Sequence, residues 1–190
     1  MADANIEVAN DFFHDAEDLL HRYRLTVEHF YAIKSKRMKL FLDLRMGAEC
    51  ILKAYAAYFL MEDVPRAEVI LRVEAYKHNM LRMADDVKSR VPANVWQRFE
   101  PFVDQLSALP MGLRYRLDGA DFREMNEEFY YDTVGSDFWL DSLHDAIRDL
   151  TNALNPHLVY HSRILSGSDL LQELKKPRHN KYAKKRRGDS

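Results

Sequence analysis

The densest chemistry-bearing group in this sequence is the run of basic residues near its end: Lys175, Lys176, Arg178, Lys181, Lys184, Lys185, Arg186 and Arg187. With Asp189 as the only acid beside them they give residues 175–190 a charge of +7, while the rest of the chain, with 20 basic and 29 acidic residues, carries −9. Nucleic acid is the first partner such a run suits, because each neutralised phosphate releases a counterion and yields salt-sensitive, sequence-independent affinity. The alternative is a solubilising end, or one that folds back on the acidic body. A second group is Arg114, Tyr115 and Arg116 in the string LRYR, where two guanidiniums could hold a phosphate while the ring stacks a base. The competing reading packs Tyr115 into the core and pairs the arginines with Asp118, Asp121, Glu124 or Glu127. His14, Asp18 and His21 fall at i, i+4 and i+7, so they share a helix face and could in principle ligate a transition metal. That face lies opposite the apolar stripe and offers no fourth ligand, so neither a metal nor a cofactor is assigned. Cys50 reads as a small apolar residue rather than a nucleophile. No Glu-x-x-His pair, glycine-rich phosphate loop or serine elbow occurs.

Helices must position these groups. Six glycines and six prolines in 190 residues, with abundant Ala, Leu, Met, Arg, Lys and Glu, favour helix over strand, and 47% apolar residues suffice for one core. Phe13, Ala16, Leu20, Tyr23, Val27 and Phe30 recur every three or four residues and predict a first helix over about 8–31. Leu40, Leu44, Gly47, Ile51, Tyr55 and Tyr58 predict a second over about 36–61 that pairs antiparallel with the first. A helical stretch over about 69–88 with a possible break near His78 follows, and Pro92 opens another over about 95–109. From Pro110 to Val134 the periodicity dissolves around Gly112 and Gly119, which predicts a long ordered loop with at most a helical turn. Ser136 or Asp137 then caps a last helix through about Asn155, with Trp139, Leu143, Ile147, Leu150 and Leu154 inward and Pro156 ending or kinking it. The expected fold is therefore an all-α, single-domain up-and-down bundle over residues 1–174, followed by a basic disordered tail over 175–190. The start lacks the features of a signal peptide and no run of about 18 apolar residues occurs, so the expected location is cytoplasmic.

The second helix, in LDLRMGAECILKAYAAYFL, contains Gly47, Ala48, Glu49, Cys50, Ile51, Leu52, Lys53 and Ala54, and YKHNMLRMADDV follows with the step Lys77-His78 before Met80, Leu81 and Met83. Together these strings resemble the HEPN domains (higher eukaryotes and prokaryotes nucleotide-binding), small helical bundles with an Ala-x-Glu-x-x-Leu-Lys-Ala helix and a Lys-His or Gly-His step opening the next one. The resemblance covers roughly 43–87. It implies either a metal-independent endoribonuclease of the toxin or defence kind, dimerising to form its cleft, or a non-catalytic relative that binds nucleotides, RNA or a protein partner. Active members carry an Arg followed after four to six residues by His, a pair in which Arg stabilises phosphorane-like charge and His moves the proton of the 2′-hydroxyl. Here that spacing joins Arg22 to His29, Arg24 to His29, and Arg72 to His78. The first two read as surface residues of the first helix. Arg72 and His78, nearest the resembling segment, are the catalytic candidates. In active members the pair belongs to a later helix, where this chain has only Arg148 and His157, too far apart. A structural, helix-starting role is the other reading of His78. The expectation is thus a HEPN-like bundle that binds or cleaves RNA as a homodimer, its basic tail an electrostatic arm, with a protein-interaction module as the alternative.

Overall fold

The computed structural model of the chain describes residues 4–29, 36–110, 113 and 116–158. Arg114, Tyr115 and the whole basic run from Lys175 to Arg187 lie outside the described residues. The elements among them are α1 (Ala4–His29), α2 (Lys36–Leu60), α3 (Arg66–Glu74), α4 (Met80–Val87), a 3-10 turn at Lys88–Arg90, α5 (Ala93–Ala108), α6 (Arg116–Met125), α7 (Glu127–Asp132) and α8 (Asp137–Leu158). There is no strand among the described residues, and the fold is all-α.

The two long N-terminal helices form the most extensive pairing in the molecule. Phe13, Ala16, Leu20 and Tyr23 of α1 are buried, as their spacing requires, against Leu40, Leu44, Ile51 and Tyr55 of α2. Gly47 lies where α1 crosses: a Cβ there would stand 3.7 Å from Leu19 and 4.0 Å from Ile147, ordinary van der Waals distances, so α1 and α8 pack closely against α2 at this point. α8 closes the other side of α2, with Trp139, Leu143, Ile147, Leu150 and Leu154 all buried. Tyr55 ties the two together by donating its hydroxyl to the Leu150 carbonyl at 3.1 Å. α2 is thus covered on several sides, and its Ala48, Ala54, Ala56 and Ala57 are all solvent-free. Each large side chain sealed in this way contributes about 1.5–3 kcal/mol of transfer free energy.

The stretch over 69–88 breaks near His78, as its sequence suggests, into α3 and α4 separated by a turn at residues 75–79. Several other helix bounds depart from expectation. The segment 110–134 is not a long loop: it holds α6 and α7. Gly119 reads in sequence as a breaker, but it lies inside α6, where the Met38 sulfur sits 2.9 Å from the place its Cβ would occupy. Tertiary packing therefore compensates a residue that costs about 1 kcal/mol in an isolated helix. α8 runs through Pro156 to Leu158 rather than ending at Asn155. At its start the Ser136 hydroxyl accepts from the Trp139 backbone N–H at 3.2 Å, which makes Ser136 the cap.

Candidate functional site

α2 buries three charged side chains, Asp43, Arg45 and Glu49, each below 5% exposure. A charge removed from water must find a partner, and each does. Arg22 of α1 donates through Nε to Asp43 Oδ1 at 2.9 Å and through Nη2 to the same oxygen, and this bonding raises the Arg22 pKa above its ordinary value. Arg22 is therefore a structural partner of α2 rather than one half of a pair with His29, whose side chain is exposed.

Arg45 and Glu49 lie one helical turn apart with Nε and Oε1 at 3.5 Å, and neither atom has a closer hydrogen-bond partner. Nη1 of Arg45 donates to the carbonyls of Leu106, and of Leu109 at 2.9 Å, groups that the end of α5 leaves without helical partners. Burial pulls the Arg45 pKa down, against the opposing pull of Glu49. The other carboxylate oxygen of Glu49, Oε2, accepts from Nδ1 of His78 at 2.8 Å. The Glu49 side chain is 5% exposed and that of His78 61% exposed. An ionised carboxylate only accepts, so Nδ1 carries a hydrogen and Nε2, on the other side of the ring, remains for an external partner. A sealed carboxylate thus orients a solvent-facing imidazole, an arrangement suited to general acid–base work.

The turn between α3 and α4 sets this geometry. Lys77 has φ 50°, a left-handed conformation that costs a non-glycine residue about 1–2 kcal/mol. On one side of it Tyr76 is directed inward, donating its hydroxyl to Asp86 Oδ2 at 2.8 Å, and burial with that bond pushes its pKa up to about 12. On the other side His78 meets Glu49, and Asn79 caps α4 by accepting from the Arg82 backbone N–H at 3.0 Å. His78 therefore sits at a helix start, as one sequence reading has it, and is also the partner of a buried acid.

Arg72 has a different engagement. Its Nε donates to Glu68 Oε1 at 3.0 Å, one turn back along α3. It lines a recess of about 270 Å³ with Leu60, Met61, Ala75, Tyr76 and Arg82, in which the Arg82 guanidinium lies 5.1 Å from the centre of the Tyr76 ring. Arg72 lies in the last turn of α3 and His78 in the turn that follows it, and their side chains bond different acids. Of the LRYR string, Leu113 is buried and Arg116 opens α6.

The remaining sequence candidates are placed as follows. His14 pairs with Glu17 at 3.1 Å on the exposed face of α1, and among the described residues no group of three or more His, Cys, Asp or Glu side chains is placed to hold a metal ion. Cys50 is half-buried, and burial pushes its thiol up to about 11. His157 packs against Tyr58 and Phe59. In the sequence Glu49 stands within the resembling segment without a role of its own, and Arg45 is not marked at all. The available signal was two ionisable residues at i and i+4 beside the inward positions Leu44, Ala48 and Leu52. A second group missed in this way is His144, 8% exposed and stacked on Tyr23 at 5.0 Å, while the Tyr23 hydroxyl donates to Asp141 at 2.8 Å. No helix among the described residues is long and apolar enough to cross a membrane. No family model matches the chain, and neither a curated protein nor a solved structure matches it.

Proposed function

We propose that this chain is a HEPN-like bundle that binds RNA and cleaves it without a metal, with His78 moving the proton of the attacking 2′-hydroxyl and Glu49 holding the imidazole. The observation that carries this reading is the 2.8 Å bond from His78 Nδ1 to a carboxylate only 5% exposed, which leaves Nε2 on the open side of the ring. Proton transfer by such a group contributes typically about 10²–10⁴-fold to a rate. Arg72, and Arg82 in the same recess, lie six and four positions from His78 and can meet phosphate charge. The basic run from Lys175 to Arg187 supplies non-specific affinity for the polynucleotide. Pairing of two copies would bring two such sites to one substrate. A second reading, a binding module without catalysis, is favoured by one observation: Arg72 is bonded to Glu68 rather than directed at His78.

Labelled RNA incubated in EDTA with the wild-type chain, His78→Ala and Arg72→Ala separates the two. Cleavage by wild type, abolished in His78→Ala and reduced in Arg72→Ala with the helical circular dichroism unchanged, is the expected result. Equal cleavage by wild type and His78→Ala would overturn the assignment of His78. No cleavage by any of the three, while RNA is still retarded on a gel, would leave the binding module. A chain ending at Leu174 should lose RNA affinity and flatten its salt dependence.

A further inference from the structure

α4 and α5 pack side by side, and two adjoining hollows of about 670 and 740 Å³ lie along them, sharing Lys88, Trp96 and Glu100. Neither hollow is lined by Glu49, His78 or Arg72. Trp96, Glu100 and Asp104 follow one another at i, i+4 and i+8 and so stand along one side of α5. The Trp96 indole is only half-buried, its ring set against Phe99 at 5.8 Å. Of the two cations in the lining, Lys88 is bound to Asp85 at 2.5 Å and Arg82 lies over the Tyr76 ring. Glu100 and Asp104 are exposed and have no bonded cation among the described residues, although Lys88 lies near enough to feel the charge of Glu100, so the groove offers an open aromatic face beside two carboxylates without an ion-pair partner. Leu81, 48% exposed, adds apolar surface to its wall.

We propose that this groove docks a linear, arginine- or lysine-bearing segment of a protein partner, with one cationic side chain stacked on Trp96 and its charge met by Glu100 and Asp104. Charge complementarity selects this occupant. A guanidinium gains from the indole face and from bidentate carboxylate bonding together, whereas a phosphate backbone would meet Asp85, Glu100 and Asp104 in succession. The groove shares Arg82 with the recess beside Arg72 but is lined by neither Glu49 nor His78, so its occupancy does not depend on catalysis at His78.

The test uses the full-length chain carrying Trp139→Phe, which leaves Trp96 as the only indole. Trp139 is 6% exposed and donates to Gln105, and phenylalanine preserves most of its packing. The probe is a tetra-arginine amide peptide, with the tetra-citrulline peptide as its uncharged counterpart. A saturable change in Trp96 emission with the arginine peptide is expected, weakened at least tenfold by citrulline and at least tenfold by Glu100→Gln/Asp104→Asn. Glu17→Gln/Asp18→Asn on α1 should leave it unchanged. Equal binding of the citrulline peptide, equal weakening by the α1 variant, or saturation of the Trp96 signal by oligouridine instead of peptide would overturn the proposal. If Trp139→Phe does not fold, calorimetric titration of the otherwise unaltered chain against Glu100→Gln/Asp104→Asn reads the same difference.

Discussion

Replacing Glu49 by glutamine probes the buried charges that hold His78 in place. The amide keeps the side-chain shape and can still accept from His78, but it removes the negative charge 3.5 Å from Arg45 Nε. The Arg45 guanidinium, 3% exposed, is then left with only the carbonyls of Leu106 and Leu109. Breaking a buried ion pair from one side costs about 3–5 kcal/mol, and the retained carbonyl bonds place this variant near the lower end, about 3 kcal/mol. Arg45→Met leaves Glu49 bonded to His78 but strands both carbonyls, so about 4 kcal/mol is expected. Because the two variants break the same pair, the double variant should cost about 5 kcal/mol rather than the sum, a coupling of about 2 kcal/mol. Urea unfolding at neutral pH, followed by helical circular dichroism, measures all three against wild type. Additivity within about 0.5 kcal/mol, or a single variant costing under about 1 kcal/mol, would refute the view that Arg45 and Glu49 form a desolvated pair.

Outcomes at four further positions follow from local geometry. With its pKa raised from 9.0 to about 11, Cys50 should carboxymethylate about 100-fold more slowly in the native chain than in the unfolded chain at mildly alkaline pH. The unfolded thiol ionises first, so native stability contributed by this group is lost as pH rises through 9.0 toward 11. Gly135→Ala would set a methyl group 2.8 Å from the Tyr130 carbonyl oxygen and 2.9 Å from its ring, and should lower stability by about 1–3 kcal/mol in a thermal melt. Gly119→Ala meets only the flexible end of Met38 and gains helix propensity, so it should stay within about 1 kcal/mol of wild type. Asn79→Ala removes the cap of α4 and should cost about 1 kcal/mol, read as a lower urea midpoint.

The two long helices and α8 were legible because their apolar residues recur with a period that only a helix can place on one side. Phe13, Leu20, Leu44, Ile51, Leu143 and Leu154 are all buried where that period puts them. α6 and α7 were not legible, since short amphipathic helices rich in acids carry weak periodicity and Gly119 carries a contrary local signal that Met38 overrides from another helix. The site was legible in part. His78 was marked by its spacing from Arg72 and by the resembling segment, yet its bonded partner is Glu49, twenty-nine positions earlier. Spacing along a chain ranks local pairs and cannot see one closed by a turn between helices.

Composition and periodicity alone determined the class of this protein, its core residues and the separation of an acidic body from a basic end, because burial of an apolar stripe is a local demand that each helix states for itself. The tertiary structure decided which charges are sealed and which face solvent. Asp43, Arg45 and Glu49 look like ordinary polar residues of a long helix until α1, the end of α5 and the α3–α4 turn close over them. Desolvation and partner choice depend on several elements at once, and that is why a buried acid aiming an exposed imidazole appears only when the helices are assembled.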